Sequence, residues 1–394
     1  MTAPRLGDRS LFPTLEPTAY LNHAGVSPPS QRVLEAAWTV LDDFARKGGG
    51  AVAAALERRA SLRALLASLI GARPEDVAFT QNTSAGVQAV ALCFPWRAGD
   101  RVVLFHGEFP ANVTPWQRAA EAFGLAISFV PLEPFLRSEE EGLALVDREL
   151  ERGARLLAVS AVQFRSGLRM PLEELSRRCA RAGARLFVDA VQCAGAVPLD
   201  VRGVDYLAAG AHKWLMGILG AGFLYVRPGL SAEFVPRTAG WLSHEDAARF
   251  LVEPGQLRYD RPIRRSASFV EGGGASEVSL AALRASVEIL LELGVPAIHS
   301  HVGHYLDRLE PELLERGFRS LRAKEPARRS SILSLEPPPG VDRVRLAREV
   351  QGRGVACALP DGVLRFSPHW PNDVGEIPLV LEAVDGALAS VRER

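Results

Sequence analysis

The sequence lacks the features that would suit it to a membrane or to a polyanionic partner. No run approaches the ~18 consecutive apolar residues of a membrane-spanning helix, because Arg, Glu, Asp or Gly interrupts every hydrophobic stretch. The first residues carry no apolar run resembling a signal peptide. Lys plus Arg and Asp plus Glu number 46 each, so no excess of positive charge would attract nucleic acid or an anionic membrane. We therefore expect neither partner.

Cysteine is also scarce. The chain of 394 residues has four cysteines, with no Cys-x-x-Cys pair and no Cys/His cluster: Cys93, Cys179, Cys193 and Cys357. This pattern predicts neither a disulfide framework nor a metal site, and it is typical of a protein in a reducing, cytoplasmic compartment.

What the sequence does have is an alternation of β-prone and helical segments. From residue 77 to residue 226, short apolar strands alternate with amphipathic helices. This alternation predicts an α/β fold with a mostly parallel, doubly wound sheet, whose ligands bind at the carboxyl ends of the strands. After residue 226 strands and helices no longer alternate regularly, which predicts a smaller α+β domain in the C-terminal part of the chain. We expect an N-terminal arm over 1–18 that packs with the small domain, a large domain over 19–275 and the small domain over 276–394.

Two charged residues end predicted strands of the large domain. Asp189 follows the apolar run 186–188, and Lys213 follows a second run, 204–209. Taken singly, Asp189 could be a helix cap and Lys213 a surface lysine after a turn. Together they suit pyridoxal phosphate, because a lysine amine forms a Schiff base with its aldehyde and an aspartate keeps its pyridine nitrogen protonated.

Further strand ends place polar and aromatic side chains on the same rim. Thr83 and Ser84 stand between a strand and a helix, where backbone N–H groups and the helix dipole favour phosphate. Phe109 lies in the segment that follows the carboxyl end of another strand, 101–105, and is a candidate to stack on a planar ring. Gln163 follows a further strand, and the small turn Ala24-Gly25 would let a ligand approach the main chain closely.

In combination these residues resemble the class V aminotransferase branch of the fold-type I pyridoxal-phosphate enzymes. That branch includes cysteine desulfurases, isopenicillin N epimerase-like proteins and kynureninase. The resemblance covers essentially the whole chain and lies in four runs: Glu108–Trp116, Asp189–Gln192, Ala211–Trp214 and Leu364–Trp370.

The resemblance implies a role for each position. Lys213 would carry the Schiff base, Asp189 would pair with the pyridine nitrogen and Gln192 would lie near the cofactor's phenolic oxygen. Arg365 would grip a substrate carboxylate as a bidentate guanidinium. The phosphate would be faced by Thr83, Ser84 and His212, and by Gly274 from the partner of a homodimer, whose active sites lie near the interface. Family members often have a threonine at or near the Gly274 position and a serine at Gly210, so this chain departs from the pattern at its phosphate contacts.

The reaction itself stays open at this stage. The predicted activity is that of a class V aminotransferase acting at the α-carbon of an amino acid, with an epimerase or a β-lyase (a C–S lyase or a desulfurase-like enzyme) as alternatives. Persulfide chemistry ranks low, because Cys357 lies too close to Arg365 for a mobile cysteine loop and Phe109 replaces a typical histidine. The non-enzymatic alternatives are an effector-sensing regulator, which the charge and length of the chain disfavour, and a cofactor-free interaction scaffold.

Overall fold

The computed structural model describes residues 3–392. Most of its strands belong to one seven-stranded sheet, which organises the first two thirds of the chain. The strands are β1 Ala19–Tyr20, β2 Val77–Thr80, β3 Arg101–Phe105, β4 Ala126–Val130, β5 Ala154–Ser160, β6 Arg185–Asp189, β7 Tyr206–Gly210, β8 Gly222–Val226, β9 Arg319–Ser320, β10 Leu333–Glu336, β11 Val355–Ala356 and β12 Leu364–Phe366. The helices are α1 Gln31–Lys47, α2 Val52–Ile70, α3 Thr83–Cys93, α4 Thr114–Phe123, α5 Glu133–Arg137, α6 Glu139–Glu151, α7 Leu172–Ala182, α8 Glu277–Leu293, α9 Val295–Glu315, α10 Arg343–Gly352 and α11 Ile377–Arg392.

The large sheet has the order β2-β8-β7-β6-β5-β3-β4. Its five strands from β3 to β7 are parallel, whereas β8 runs antiparallel to both of its neighbours, β7 and β2. The predicted mostly parallel α/β fold is confirmed. Because the direction reverses twice, β2 points the same way as β7, and Thr80, Gly222 and Gly210 lie in one row across the three strands. The carboxyl end of β2 therefore reaches the same edge as those of β6 and β7.

Burial explains why the strands read as continuous apolar runs. The side chains of β7 and β8 are buried throughout, as expected for a sheet covered on both faces. Helix α3 lies so close to β7 that a Cβ on Gly86 would stand 2.7 Å from the Cβ of Ala208. Glycine at this position allows the close packing that holds the amino end of α3 at the sheet edge.

A second sheet lies in the C-terminal part of the chain. It is antiparallel, with the order β12-β10-β9. The N-terminal segment joins this part, because β1 pairs with β11 in parallel and the Gly7 amide donates to the Trp370 carbonyl at 2.7 Å. The domain boundaries at 18/19 and 275/276 stay predictions. Among residues 3–392 no helix is long and apolar enough to cross a membrane.

Candidate active site

A cavity of about 410 Å³ opens at the carboxyl edge of the large sheet. Larger cavities, up to about 900 Å³, lie elsewhere and contain neither Asp189 nor Lys213. The smaller cavity brings together most of the residues that the sequence singled out. Its lining is Ala24, Gly25, Val26, Asn82, Thr83, Ser84, Phe109, Ala111, Phe164, Asp189, Val191, Gln192, His212, Lys213, Pro360 and Arg365.

Lys213 and Asp189 form the charged centre of this cavity. Burial lowers the pKa of the Lys213 amine to about 8, an effect that Asp189 offsets only in part and that Arg365 reinforces. Burial raises the pKa of Asp189 to about 7, and its main opposing contact is the Val191 amide, which donates to Oδ1 at 2.9 Å. A lysine with a lowered pKa is more often neutral, and hence nucleophilic, at neutral pH. A cationic partner would conversely stabilise the charged form of this desolvated carboxylate.

Lys213 stands apart from the other lysines of the chain. The sequence has three, Lys47, Lys213 and Lys324. Lys47 and Lys324 are exposed at the surface, and Lys47 pairs with Asp43 at 2.6 Å. Lys213 is the one lysine in the cavity wall, with its Nζ 5.3 Å from the centroid of the Phe109 ring.

The amino end of α3 borders one side of the cavity with hydrogen-bond donors. Asn82 caps the helix by accepting the Ala85 amide at 2.9 Å, while the first-turn amides of Thr83 and Ser84 have no intrahelical acceptor. A Cβ on Gly210 would stand 3.0 Å from the Thr83 hydroxyl and 3.3 Å from His212 Nδ1. The threonine hydroxyl and the histidine thus converge beside Gly210, and burial lowers the pKa of His212.

Arg365 reaches the cavity from the small sheet. It is only 5 % exposed, and burial lowers the pKa of its guanidinium to about 10. One terminal nitrogen donates to the Phe164 carbonyl at 2.8 Å, whereas its buried Nε has no partner. An anion could satisfy this unpaired donor, and β12, which carries Arg365, holds the guanidinium in place.

Two aromatic rings form the outer wall. Phe109 is 44 % exposed, and its ring meets that of Phe164 edge to face with centroids 5.3 Å apart. Sequence reasoning proposed Phe109 but missed Phe164, which is the immediate neighbour of the predicted Gln163.

The structure does not bring Gln163 into the cavity wall. Its buried amide nitrogen donates to Glu108 Oε1 at 3.1 Å, and its Oε1 has no partner. Gly274 also lies outside this cavity; it is exposed and borders a neighbouring one that shares Asn82 and His212 with the site. Within one chain, neither residue belongs to the lining of the cavity that contains Asp189 and Lys213.

The segment 23–27 is fastened to the backbone of the Lys213 turn. The Ser27 hydroxyl donates to the Lys213 carbonyl at 2.7 Å and therefore accepts from Nδ1 of the buried His23, 2.8 Å away. Gln192 donates to the Ala24 carbonyl at 3.0 Å and accepts from Trp214 Nε1 at 2.7 Å. These bonds hold Ala24, Gly25 and Val26 in the cavity wall. The bonds of Ser27 to Lys213 and of Gln192 to Ala24 join residues more than 160 positions apart, so no local signal could have shown them.

Glu108 is a further residue that sequence reasoning missed. This buried carboxylate accepts the Ser160 amide at 2.7 Å and the Ser160 hydroxyl as well. Burial raises its pKa, and its charge in turn raises the pKa of Asp189. The signal was available, because Glu108 is the first residue of the run Glu108–Trp116, one of the four runs that carry the family resemblance.

Comparison with known proteins gives a consistent family. A family model described as aminotransferase class-V matches residues 19–359. An uncharacterized aminotransferase of Bacillus subtilis, YcbU, is 27% identical and covers 95% of this chain and 96% of its own. Isopenicillin N epimerase of Streptomyces clavuligerus is 28% identical, over 82% of this chain and 83% of its own. The apo structure of a cysteine desulfurase from Thermococcus onnurineus NA1 covers all of both chains with a TM-score of 0.85 at 24% identity, which shows a shared fold.

Proposed function

The chain belongs to the aminotransferase class-V family of pyridoxal-phosphate-dependent enzymes, and on that premise we propose that it binds pyridoxal 5′-phosphate at Lys213 and acts at the α-carbon of an amino acid. The observation that carries the proposal is one cavity that combines a lysine of lowered pKa, a desolvated aspartate and an arginine with an unpaired buried Nε.

The residues present fit the cofactor at each of its functional groups. Lys213 offers an amine for the aldehyde, and Asp189 offers a carboxylate whose pKa burial raises, so that a cationic ring nitrogen would stabilise its charged form. The amides of Thr83 and Ser84, the Thr83 hydroxyl and His212 offer donors for the phosphate at the positive end of a helix dipole. Phe109 offers an aromatic face for the ring.

Each of these groups has a distinct part in the chemistry. When bound, pyridoxal phosphate supplies an electron-accepting ring. Asp189 holds a proton at the ring nitrogen, Arg365 orients the substrate through its carboxylate, and Lys213 Nζ is the base placed to take a proton from the α-carbon. Phe109 and Phe164 restrict the access of water to that proton.

Transamination is the reaction we propose from this common first step. Racemisation and β-elimination share the step and differ in where the proton or a β-substituent goes. Persulfide transfer, in contrast, needs an accessible thiol. All four cysteines are at most 3 % exposed, so none offers an accessible thiol. Burial also raises the pKa of Cys357 to about 12, which disfavours its thiolate. A cofactor-free scaffold would have no use for a buried lysine and aspartate in one cavity.

The experiment for this proposal replaces Asp189 by Asn. We expect exchange of the substrate α-hydrogen for deuterium in D₂O, followed by NMR over a panel of amino acids, to slow on the order of 10²-fold, as when one electrostatic stabiliser is removed from an active site. Cofactor affinity should change much less, because the phosphate and Lys213 contacts remain. Asp200→Asn, an exposed carboxylate paired with Arg202, is the matched control. Unchanged exchange in Asp189→Asn at saturating cofactor would argue against the assignment.

We also propose that the protein is a homodimer. A long irregular segment exposes four large apolar side chains, Leu251, Val252, Leu257 and Tyr259, by 60 to 88 %, which is unusual for a surface that meets only water. The exposed glycines 273–274 border a cavity that continues into the phosphate side of the site. Sedimentation equilibrium should give about twice the chain mass of 42.6 kDa. A monomer mass at micromolar concentration would contradict this.

A further inference from the structure

The charges that line the active-site cavity are few, and each has a use in the proposed function. Among residues 3–392 the charged side chains in the lining are Asp189, Lys213 and Arg365. Asp189 and Lys213 serve the cofactor, and Arg365 serves the α-carboxylate of the substrate. No charged side chain of the lining is left over to pair with a second charge on the substrate.

The part of the lining that is left for a substrate side chain is apolar. Apart from Arg365, the helix cap Asn82 and the residues assigned to the cofactor, the lining side chains are those of Ala24, Val26, Ala111, Phe164, Val191 and Pro360. The volume of about 410 Å³ is near the lower end of the ~300–1,000 Å³ common for ligand sites, and it must hold the cofactor as well as the substrate. A substrate side chain that enters this part of the cavity has little room and contacts apolar side chains.

One further cation lies just outside the lining, but it is already paired. Arg165 follows Phe164 in the chain, Asp361 follows Pro360, and Arg165 Nε lies 2.8 Å from Asp361 Oδ2. The two side chains are 34 % and 76 % exposed. The ion pair thus joins the loop after β5 to the turn before β12 and neutralises a cation next to the lining residue Phe164.

We propose that the substrate is a monocarboxylic amino acid with a compact, uncharged side chain, and that Asp361 helps to exclude dicarboxylic amino acids by neutralising Arg165. This inference rests on the proposed function and specifies the substrate class of the same site. A second carboxylate would lose water against an apolar wall without gaining a cation, which is costly. In a transamination, the amino acceptor would likewise be a monocarboxylic oxo acid.

Asp361→Asn is the variant that isolates the role of the ion pair. Asp361 has a left-handed backbone, with φ of +48°, which asparagine tolerates well among non-glycine residues. The substitution therefore frees Arg165 with little change in the turn. Asp42→Asn, in the exposed pair with Arg46 on α1, makes the same charge change elsewhere, and the double variant Arg165→Gln/Asp361→Asn removes the freed cation.

Equilibrium dissociation constants of alanine, valine, aspartate and glutamate, measured by calorimetry on the cofactor-loaded enzyme, test the proposal. We expect the native enzyme to bind its best uncharged ligand at least about 10-fold more tightly than glutamate. Asp361→Asn should bind glutamate about 2- to 5-fold more tightly than the native enzyme, the range of an exposed ion pair, with alanine unchanged. The Asp42→Asn and double variants should show no such gain.

The outcomes separate this inference from the proposed function. Glutamate binding as tightly as the best uncharged ligand, or no gain for glutamate in Asp361→Asn, overturns the inference and leaves the proposed function standing. If none of the four amino acids binds, the inference fails, and the proposed function is decided by the α-hydrogen exchange over the wider panel of amino acids.

Discussion

Replacing Lys213 by alanine should slow α-hydrogen exchange by about 10²- to 10⁴-fold, the range lost with a positioned general base. The physical reason is the position of the residue. Its amine lies in the cavity with Asp189 and Arg365, and desolvation lowers its pKa to about 8, so that it can exchange protons near neutral pH. No other lysine lies in the lining to replace it. Exchange would be followed by NMR in D₂O with saturating cofactor.

The chain offers two natural controls for this substitution. Lys47→Ala and Lys324→Ala remove the other two lysines, both exposed, and should leave exchange unchanged. Added methylamine could restore part of the activity of Lys213→Ala, since a small amine can enter the space of the deleted side chain. An exchange rate in Lys213→Ala equal to that of the native enzyme would show that another group is the base.

Replacing Arg365 by lysine should weaken the binding of amino acids by about 30- to 150-fold, or 2–3 kcal/mol. Lysine keeps the positive charge but loses the planar fork that can bind a carboxylate with two parallel hydrogen bonds. Arg365 is suited to this role because the Phe164 carbonyl fixes one terminal nitrogen while its buried Nε has no partner. Titration of an amino acid against the native enzyme and the variant measures the loss.

The decarboxylated amine of the same amino acid is the internal control for Arg365. It carries no carboxylate, so its affinity should be the same in the native enzyme and in Arg365→Lys. Equal losses for both ligands would indicate a general disturbance of the cavity. No loss for either would mean that Arg365 does not hold the carboxylate.

The sequence predicted the centre of the site better than its wall. Asp189 and Lys213 could be placed together because both follow apolar strands, and the carboxyl ends of parallel strands share one edge of a sheet. The same logic does not place the side chain of Gln163, whose role at the cofactor stays a prediction. This residue lies three positions beyond the end of β5, in a turn where strand alternation no longer fixes the direction of a side chain, and its neighbour Phe164 faces the cavity instead.

Other features depend on long-range pairing that local sequence does not encode. The run at 220–228 reads as a strand, but its placement between β2 and β7, antiparallel to both, is set by packing across the whole sheet. Similarly, Ala24-Gly25 reads as a turn, whereas its place in the wall depends on Ser27 and Gln192 bonding to distant backbone. The ion pair of Arg165 with Asp361 joins two loops almost 200 residues apart.

The central claim, that this chain holds pyridoxal phosphate at Lys213, is tested most directly by chemical trapping. The native protein would be incubated with pyridoxal 5′-phosphate, reduced with borohydride, digested and examined by mass spectrometry. With only three lysines in the chain, the site of modification is unambiguous. We expect the phosphopyridoxyl mass at a stoichiometry near one per chain on the peptide that contains Lys213, with little on those of Lys47 and Lys324. Labelling spread over all three lysines, or absent from Lys213, would contradict the account.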